Sequence, residues 1–273
     1  FERNKLKTKN KRGGRNLAHL KTEVDEKIAV ITIDRPPANA LSSELLKQLD
    51  QVLEQYRNDD DVRVLVLRGE GRFFCAGADI KEFTTIQSKK EAYFLAREGQ
   101  YILDKIEQYP KPVIASIHGV ALGGGLELAM SCHMRIVSET AKLGLPETSL
   151  GIIPGFAGTQ RLPRLVGPSK AVEMILSAEP ITGVEAVKWG LANQAVVEEE
   201  VFTKTMDLAR KIAEKSPSTV SAVLYLINQM ESASFAERVE KEAEFFSEVF
   251  SREDAKEGIQ AFLEKRKPKF TGK

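Results

Sequence analysis

Residues 111–133 read KPVIASIHGVALGGGLELAMSCH. Residues 112–117 form a short apolar run with β-branched side chains, bounded by Pro and Gly, which predicts a buried strand. Gly123, Gly124 and Gly125 follow. Three glycines let a backbone turn sharply and let another molecule approach it closely. Residues 126–132 have helical composition, with one charge in the first turn, Glu127, among Leu126, Leu128, Ala129 and Met130. A helix dipole favours a carboxylate at that end, and unpaired N–H groups there bind an oxyanion. The stretch thus offers an anion hole beside a carboxylate, although strand–glycine–helix turns also serve ordinary packing. No Lys-Ser or Lys-Thr follows the glycines, and their spacing is not G-x-G-x-x-G, so the P-loop and the dinucleotide fingerprint are both excluded.

Working outward, residues 28–33 (IAVITI) predict a strand that Asp34-Arg35-Pro36-Pro37 ends. Apolar residues at 41, 45, 46, 49, 52, 53 and 56 follow the helical period, with Ser42 or Ser43 as cap. Residues 62–67 predict a strand, 73–80 a turn through Gly77, 90–108 a helix and 135–137 a short strand. Alternating strands and helices give an α/β class. From Phe202 the character changes: residues 202–215, 219–230, 235–250 and 253–265 all predict helices, with no further strand. Phe245, Phe246, Val249 and Phe250 form an apolar stripe that fits either an internal core or a subunit contact.

Bulk properties narrow the function classes. The 273 residues allow one large domain or a domain with an appendage. A net charge of +1 argues against a polyanion binder. No run has the length of a membrane span, and no apolar segment near residue 1 suggests a secretory leader, so a cytoplasmic protein without membrane partners is expected. Cys75 and Cys132 lie in apolar contexts and are expected as reduced, buried thiols. No Cys/His cluster has zinc spacing, and His19, His118 and His133 have no evident role as a base. Residues 1–16 are strongly basic and poor in apolar side chains, which predicts a mobile extension.

Four ordered stretches, HGVALGGGLELA, FFCAGADIKEF at 73–83, GLPETSLGIIPGFAGTQRL at 144–162 and FLEKRKPKF at 262–270, resemble the crotonase superfamily, the enoyl-CoA hydratase/isomerase family, and most of all its enoyl-CoA hydratases. The likeness runs from about Leu20 to the C-terminus. It implies a spiral of repeated ββα units over residues 18–201 and a helical trimerisation region over 202–273, after a basic extension over 1–17. It also implies a homotrimer or a hexamer of paired trimers. The implied reaction adds water across the 2-trans double bond of an acyl-CoA to give a 3-hydroxyacyl-CoA. Coenzyme A enters as part of the substrate, and no separate cofactor or metal is implied.

The resemblance assigns the roles residue by residue. The backbone N–H groups of Ala78 and Gly124 match the family's oxyanion donors. Glu127 matches the glutamate that activates water, and Glu147 the one that protonates the α carbon. Gly155 matches a glycine near the water. Ala38, Ala76, Asp79, Ile80 and Lys81 match positions around the CoA moiety. Taken alone, Glu147 after Pro146 reads as a solvated or capping residue, and Lys81 as a solvated charge. One departure stands out: many members carry a lysine two residues after the equivalent of Arg35, and here that position is Pro37. The acyl pocket is expected from residues 83–94 and the C-terminal helices.

Other readings differ in observable ways. Isomerases of the superfamily often keep the Glu147 equivalent and have an apolar residue in place of Glu127. A methylglutaconyl-CoA hydratase would share both glutamates. RNA-binding relatives carry a lysine-rich first helix; here Lys47 and Arg57 face Glu44, Asp50 and Glu54, so only the N-terminal extension favours nucleic acid, which is not expected as a partner. A non-catalytic scaffold would not need both carboxylates.

Overall fold

The computed structural model describes residues 14–230 and 233–273. In chain order it runs β1 (Leu20–Asp25), β2 (Ile28–Ile33), α1 (Ser43–Arg57), β3 (Val64–Gly69), α2 (Ile80–Phe83), α3 (Lys89–Glu107), β4 (Val113–Ile117), β5 (Val120–Leu122) and α4 (Gly124–Ser131). It continues with β6 (Met134–Ser138), β7 (Lys142–Gly144), a 3₁₀ turn (Pro146–Leu150), α5 (Gly158–Val166), α6 (Pro168–Ser177), β8 (Ile181–Thr182), α7 (Gly183–Lys188) and β9 (Gln194–Val196). A second 3₁₀ turn (Glu198–Glu200) leads into α8 (Val201–Ala213), α9 (Pro217–Asn228), α10 (Phe235–Phe250) and α11 (Glu253–Leu263).

Two sheets form the scaffold. The larger has the order β1-β2-β3-β4-β6-β9. It is parallel except for the β1–β2 hairpin. The smaller has the order β5-β7-β8. Twice the chain passes from a strand of the large sheet to a strand of the small one and then into a helical turn: β4, β5, α4 and β6, β7, 3₁₀. This is the spiral of ββα units that the resemblance implies.

The apolar runs follow from burial on both faces. Ile28 and Val30, with Val64, Val66, Ile114 and Ile136, pack against Val201, Met206 and Ala209 of α8. The alternate residues Ala29, Ile31 and Ile33, with Leu65, Leu67 and Ala115, face the main core with Leu45 and Leu49 of α1 and Leu103 and Ile106 of α3. Each Val, Leu, Ile or Met side chain among them contributes about 1.5–3 kcal/mol on burial. Ser42 caps α1, its hydroxyl accepting from the Leu45 N–H at 3.2 Å. Cys75 and Cys132 are free and buried, and burial pushes both thiols up to about 12.

Several elements differ from the sequence reading. The strands β5, β7, β8 and β9 have two or three residues each, too short for a period to show. Helix α4 begins at Gly124, not at residue 126. The glycines allow contact: a Cβ on Gly125 would fall 2.2 Å from the Cys75 carbonyl oxygen. Residues 15–17, read as part of the extension, are tied to β1. Arg15 N–H donates to Thr22 Oγ1 at 3.1 Å and Thr22 N–H to the Arg15 carbonyl at 2.9 Å. The rest of the extension, residues 1–13, lies outside the described residues. The C-terminal helices occur as read, but the first of them, α8, covers a face of the sheet.

The approach of α4 to residues 73–78 predicts a sharp contrast between two glycines. Gly125→Ala should lower the unfolding free energy by about 1–3 kcal/mol through overpacking on backbone. Gly155 has open space around its Cα, and Gly155→Ala should change it by less than about 0.5 kcal/mol. Urea unfolding of the two variants beside the parent measures the difference.

Candidate active site

Strand pairing brings the two glutamates together. β5 and β7 run parallel with Leu122 opposite Gly144. The Gly123 N–H donates to the Gly144 carbonyl at 2.9 Å. The chain leaving β7 therefore starts beside the glycine turn, and Leu145-Pro146-Glu147 lies against it. Gly123 has φ 51, in the left-handed region, and a Cβ there would meet Glu147 Oε1 at 2.8 Å. Only glycine permits both the turn and the contact.

The same turn presents backbone donors. Leu41 N–H donates to the Gly77 carbonyl at 2.8 Å, and Asp79 N–H donates to the Leu41 carbonyl at 2.7 Å. These bonds bracket Ala78 in a parallel bridge, so the Ala78 N–H points to the other side. Gly124 opens α4, whose cap Gly123 provides no side-chain acceptor. Among the described residues neither N–H has a protein acceptor. A Cβ on Gly124 would lie 3.3 Å from the Ala78 nitrogen, so the two donors are neighbours.

Glu127, one helical turn in, is 1% exposed. Its Oε1 accepts from Phe156 N–H at 2.8 Å and Gly158 N–H at 2.7 Å. Burial pushes its carboxyl up to about 7, with the Glu147 charge adding to the rise and the two N–H groups and Arg161 opposing it. Glu147 is half-buried and is also shifted upward by burial. Its Oε2 is buried without a hydrogen-bond partner among the described residues. Both carboxyls line one cavity of about 600 Å³, as do Ala78, Gly124 and Gly155. Its other walls are apolar: Ile80, Phe83 and Ile86, then Ala92, Leu95 and Ala96 of α3, then Leu150, Ile152, Ile153 and Phe156. The arrangement can hold an oxyanion at two N–H groups and exchange protons through two carboxyls of raised pKa.

Comparison with known proteins decides the family. A sequence model described as Enoyl-CoA hydratase/isomerase matches residues 23–273. The chain belongs to the enoyl-CoA hydratase/isomerase family. A protein of Bacillus subtilis named probable enoyl-CoA hydratase is 56% identical over 250 residues, covering 91% of this chain and 97% of that protein. A Clostridium acetobutylicum protein named short-chain-enoyl-CoA hydratase is 43% identical over 90% of this chain and 94% of its own length. The crystal structure of enoyl-CoA hydratase from Bacillus anthracis superposes with a TM-score of 0.90 at 36% identity, over 93% of this chain and all of that one.

Of the positions that the resemblance sets around a CoA moiety, Ala76 and Ile80 line the cavity, and Ala38, Asp79 and Lys81 are not among its lining residues. Ala38 and Ala76 are joined, the Ala76 N–H donating to the Ala38 carbonyl at 3.0 Å. Asp79 pairs with Arg35 and caps α2 by accepting from Lys81 N–H at 3.1 Å. Burial alone would raise the Asp79 pKa, but Arg35 and that N–H outweigh it and hold the carboxyl below its ordinary range. Ile80 is 49% exposed at the rim, and the Lys81 side chain is exposed. Gly155 lines the cavity while its carbonyl accepts from Gln100 Nε2 at 2.9 Å.

The cavity walls differ in part from the sequence reading. Residues of the 83–94 region line it, but among the described residues the C-terminal helices contribute none of its walls; the segment from Leu150 to Phe156 does. The donors to Glu127, from Phe156 and Gly158, escaped the sequence reading because backbone N–H groups leave no residue-type signal. Phe156 was visible as a large aromatic between Gly155 and Ala157 in a glycine-rich loop.

The raised carboxyl of Glu127 has a cost in stability. A folded-state pKa of about 7 against an ordinary 4.5 means that the folded protein holds the proton more tightly. Its contribution is present in full below about 4.5 and is lost as pH rises through about 7. Glu127→Gln removes the titration. Between pH 5 and pH 8 its unfolding free energy relative to the parent should improve by about 2–3 kcal/mol. Denaturant unfolding at the two pH values checks this.

Proposed function

We propose that this chain is an enoyl-CoA hydratase that adds water across the 2-trans double bond of an acyl-CoA to give the 3-hydroxyacyl-CoA. The observation that carries the reading is the meeting, in one cavity, of the buried Glu127 carboxyl, the half-buried Glu147 carboxyl and two N–H groups with no acceptor among the described residues. The thioester oxygen takes the Ala78 and Gly124 donors, which stabilise the charge that develops as the β carbon is attacked. Glu127 accepts the proton of the attacking water, and a base with a pKa near 7 suits that task at neutral pH. Glu147, whose carboxyl burial shifts toward the protonated form, gives the α carbon its proton. The backbone of Gly155 lies by the water. These groups all belong to the chain, so the reaction as proposed uses no cofactor; CoA is carried by the substrate, held along Ala38, Ala76, Asp79, Ile80 and Lys81. An isomerase would need no carboxylate at Glu127, and here that carboxylate is buried and held by two N–H groups.

The acyl group is proposed to be short. The Phe156 ring is wedged across the cavity wall: a Cβ on Gly99 of α3 would fall 2.3 Å from its Cε1, and one on Gly124 3.5 Å from its Cε2. A ring filling that gap is proposed to limit the acyl chain, and the name of the Clostridium relative, short-chain-enoyl-CoA hydratase, supports this reading.

The chain is further proposed to act as a trimer or a pair of trimers in the cytoplasm. An apolar groove of about 580 Å³ runs between α9, α10 and α11, lined by Val223, Phe246, Phe250 and Ile259. Phe246 is 64% exposed in the single chain. An apolar face of this kind is commonly covered by another subunit, and closed symmetry is the usual arrangement.

Glu127→Gln and Glu147→Gln should each lower crotonyl-CoA hydration by about 10²–10⁴-fold, with effects that do not add because both groups serve one transition state. Hydration at the parental rate by the Glu127→Gln protein would overturn the reading. Phe156→Ala should raise the ratio of kcat/KM for decenoyl-CoA over crotonyl-CoA by about tenfold or more. An unchanged ratio would place the limit on acyl length elsewhere.

A further inference from the structure

Between the two N–H groups that bind Glu127 lies Ala157, with φ 71. A non-glycine residue in that region is strained and persists only where its surroundings hold it. The twist turns Phe156 N–H and Gly158 N–H onto the same oxygen, Glu127 Oε1. Two side chains hold the peptide groups on either side. Gln100 Nε2 donates to the Gly155 carbonyl at 2.9 Å. That carbonyl shares its peptide plane with the Phe156 N–H, so fixing one aims the other. Arg161 Nη1 donates to the Phe156 carbonyl at 2.8 Å, in the peptide between the two donors. Its remaining nitrogens reach Glu107 Oε2 at 2.8 Å and Asp104 Oδ1 at 2.5 Å, and its side chain is 4% exposed. Gln100, Asp104 and Glu107 lie four and three residues apart on α3, on one stripe of that helix. None of these four side chains is among those that line the cavity.

We propose that Gln100 and Arg161 are positioning residues for hydration: from α3 and α5 they lock the twisted segment 155–158, so that Glu127 Oε1 is pinned by two donors and Oε2 faces the water. This rests on the reading of Glu127 as the group that activates water. The charged groups that face Glu127 are Glu147 from the 3₁₀ turn and Arg161 from α5, the latter paired with Asp104 and Glu107 of α3. Loosening the clamp withdraws donors that favour the carboxylate, so the carboxyl should hold its proton to higher pH.

The test measures kcat, KM and the pH profile of crotonyl-CoA hydration for Gln100→Leu, Arg161→Gln and Arg161→Lys, beside Glu127→Gln. Gln100→Leu and Arg161→Gln should lower kcat by about 10–10²-fold, as a displaced reacting group does. KM should stay within about threefold, and the ascending limb of the kcat profile should move to higher pH. Arg161→Lys, which keeps the charge and a donor, should recover part of the loss. Gln100 is only half-buried, so Gln100→Leu carries the test alone if the buried Arg161 variants do not fold. A folded Gln100→Leu protein with parental kcat and a parental acid limb would overturn the proposal, even if it melted earlier. If Glu127→Gln is inactive while Gln100→Leu is fully active, only the clamp fails. If Glu127→Gln hydrates at the parental rate, the hydratase reading itself fails.

Discussion

One strand pairing sets the chemistry of this chain. Because β5 and β7 run parallel with Leu122 opposite Gly144, the exit of β7 meets the entry of α4, and two residues distant in sequence share a cavity. A shift of that register by one residue would reverse which side of β7 faces the glycine turn and would take Glu147 away from Gly123. The three glycines make the meeting possible in different ways. Gly123 takes the left-handed turn, Gly124 leaves an N–H open beside Ala78, and Gly125 lets α4 touch the backbone at Cys75. Arg135 secures the other end of α4, its guanidinium donating to the carbonyls of Ala129, Cys132 and Leu191.

The electrostatic design follows from that placement. Burial raises both carboxyls in this cavity, and at Glu127 the charge of Glu147 adds to the rise. Glu127 retains enough stabilisation from two N–H groups to ionise near neutrality, while Glu147 keeps an oxygen with no partner among the described residues. In the proposed reaction these similar side chains take different tasks, one accepting a proton and the other giving one.

How far this was legible in the sequence depends on the kind of signal. The apolar runs at 28–33 and 112–117 marked central strands, because a sheet buried on both faces needs side chains of that type on every residue. The helical stripe at 41–56 and the four C-terminal helices were equally plain. Glu127 could be placed at a helix start from its neighbours alone. Glu147 could not: after Pro146 it reads as an ordinary loop residue, and only the family resemblance singled it out. The short strands β7 and β8 were hidden because they draw their order from tertiary pairing and not from their own composition. The hydrogen bonds of Gln100 and Arg161 were hidden for a related reason, since they join side chains to carbonyls fifty-five and five residues away.

The central claim is that one substrate lies with its thioester oxygen on the Ala78 and Gly124 N–H groups and its β carbon between the two glutamates. A crystal structure of the protein with the product 3-hydroxybutyryl-CoA measures this directly. The account predicts the thioester oxygen at about 2.7–3.1 Å from both nitrogens, with the 3-hydroxyl within hydrogen-bond reach of Glu127 and the α carbon against Glu147. A thioester bound with its oxygen away from those nitrogens, or a 3-hydroxyl out of reach of Glu127, would contradict it.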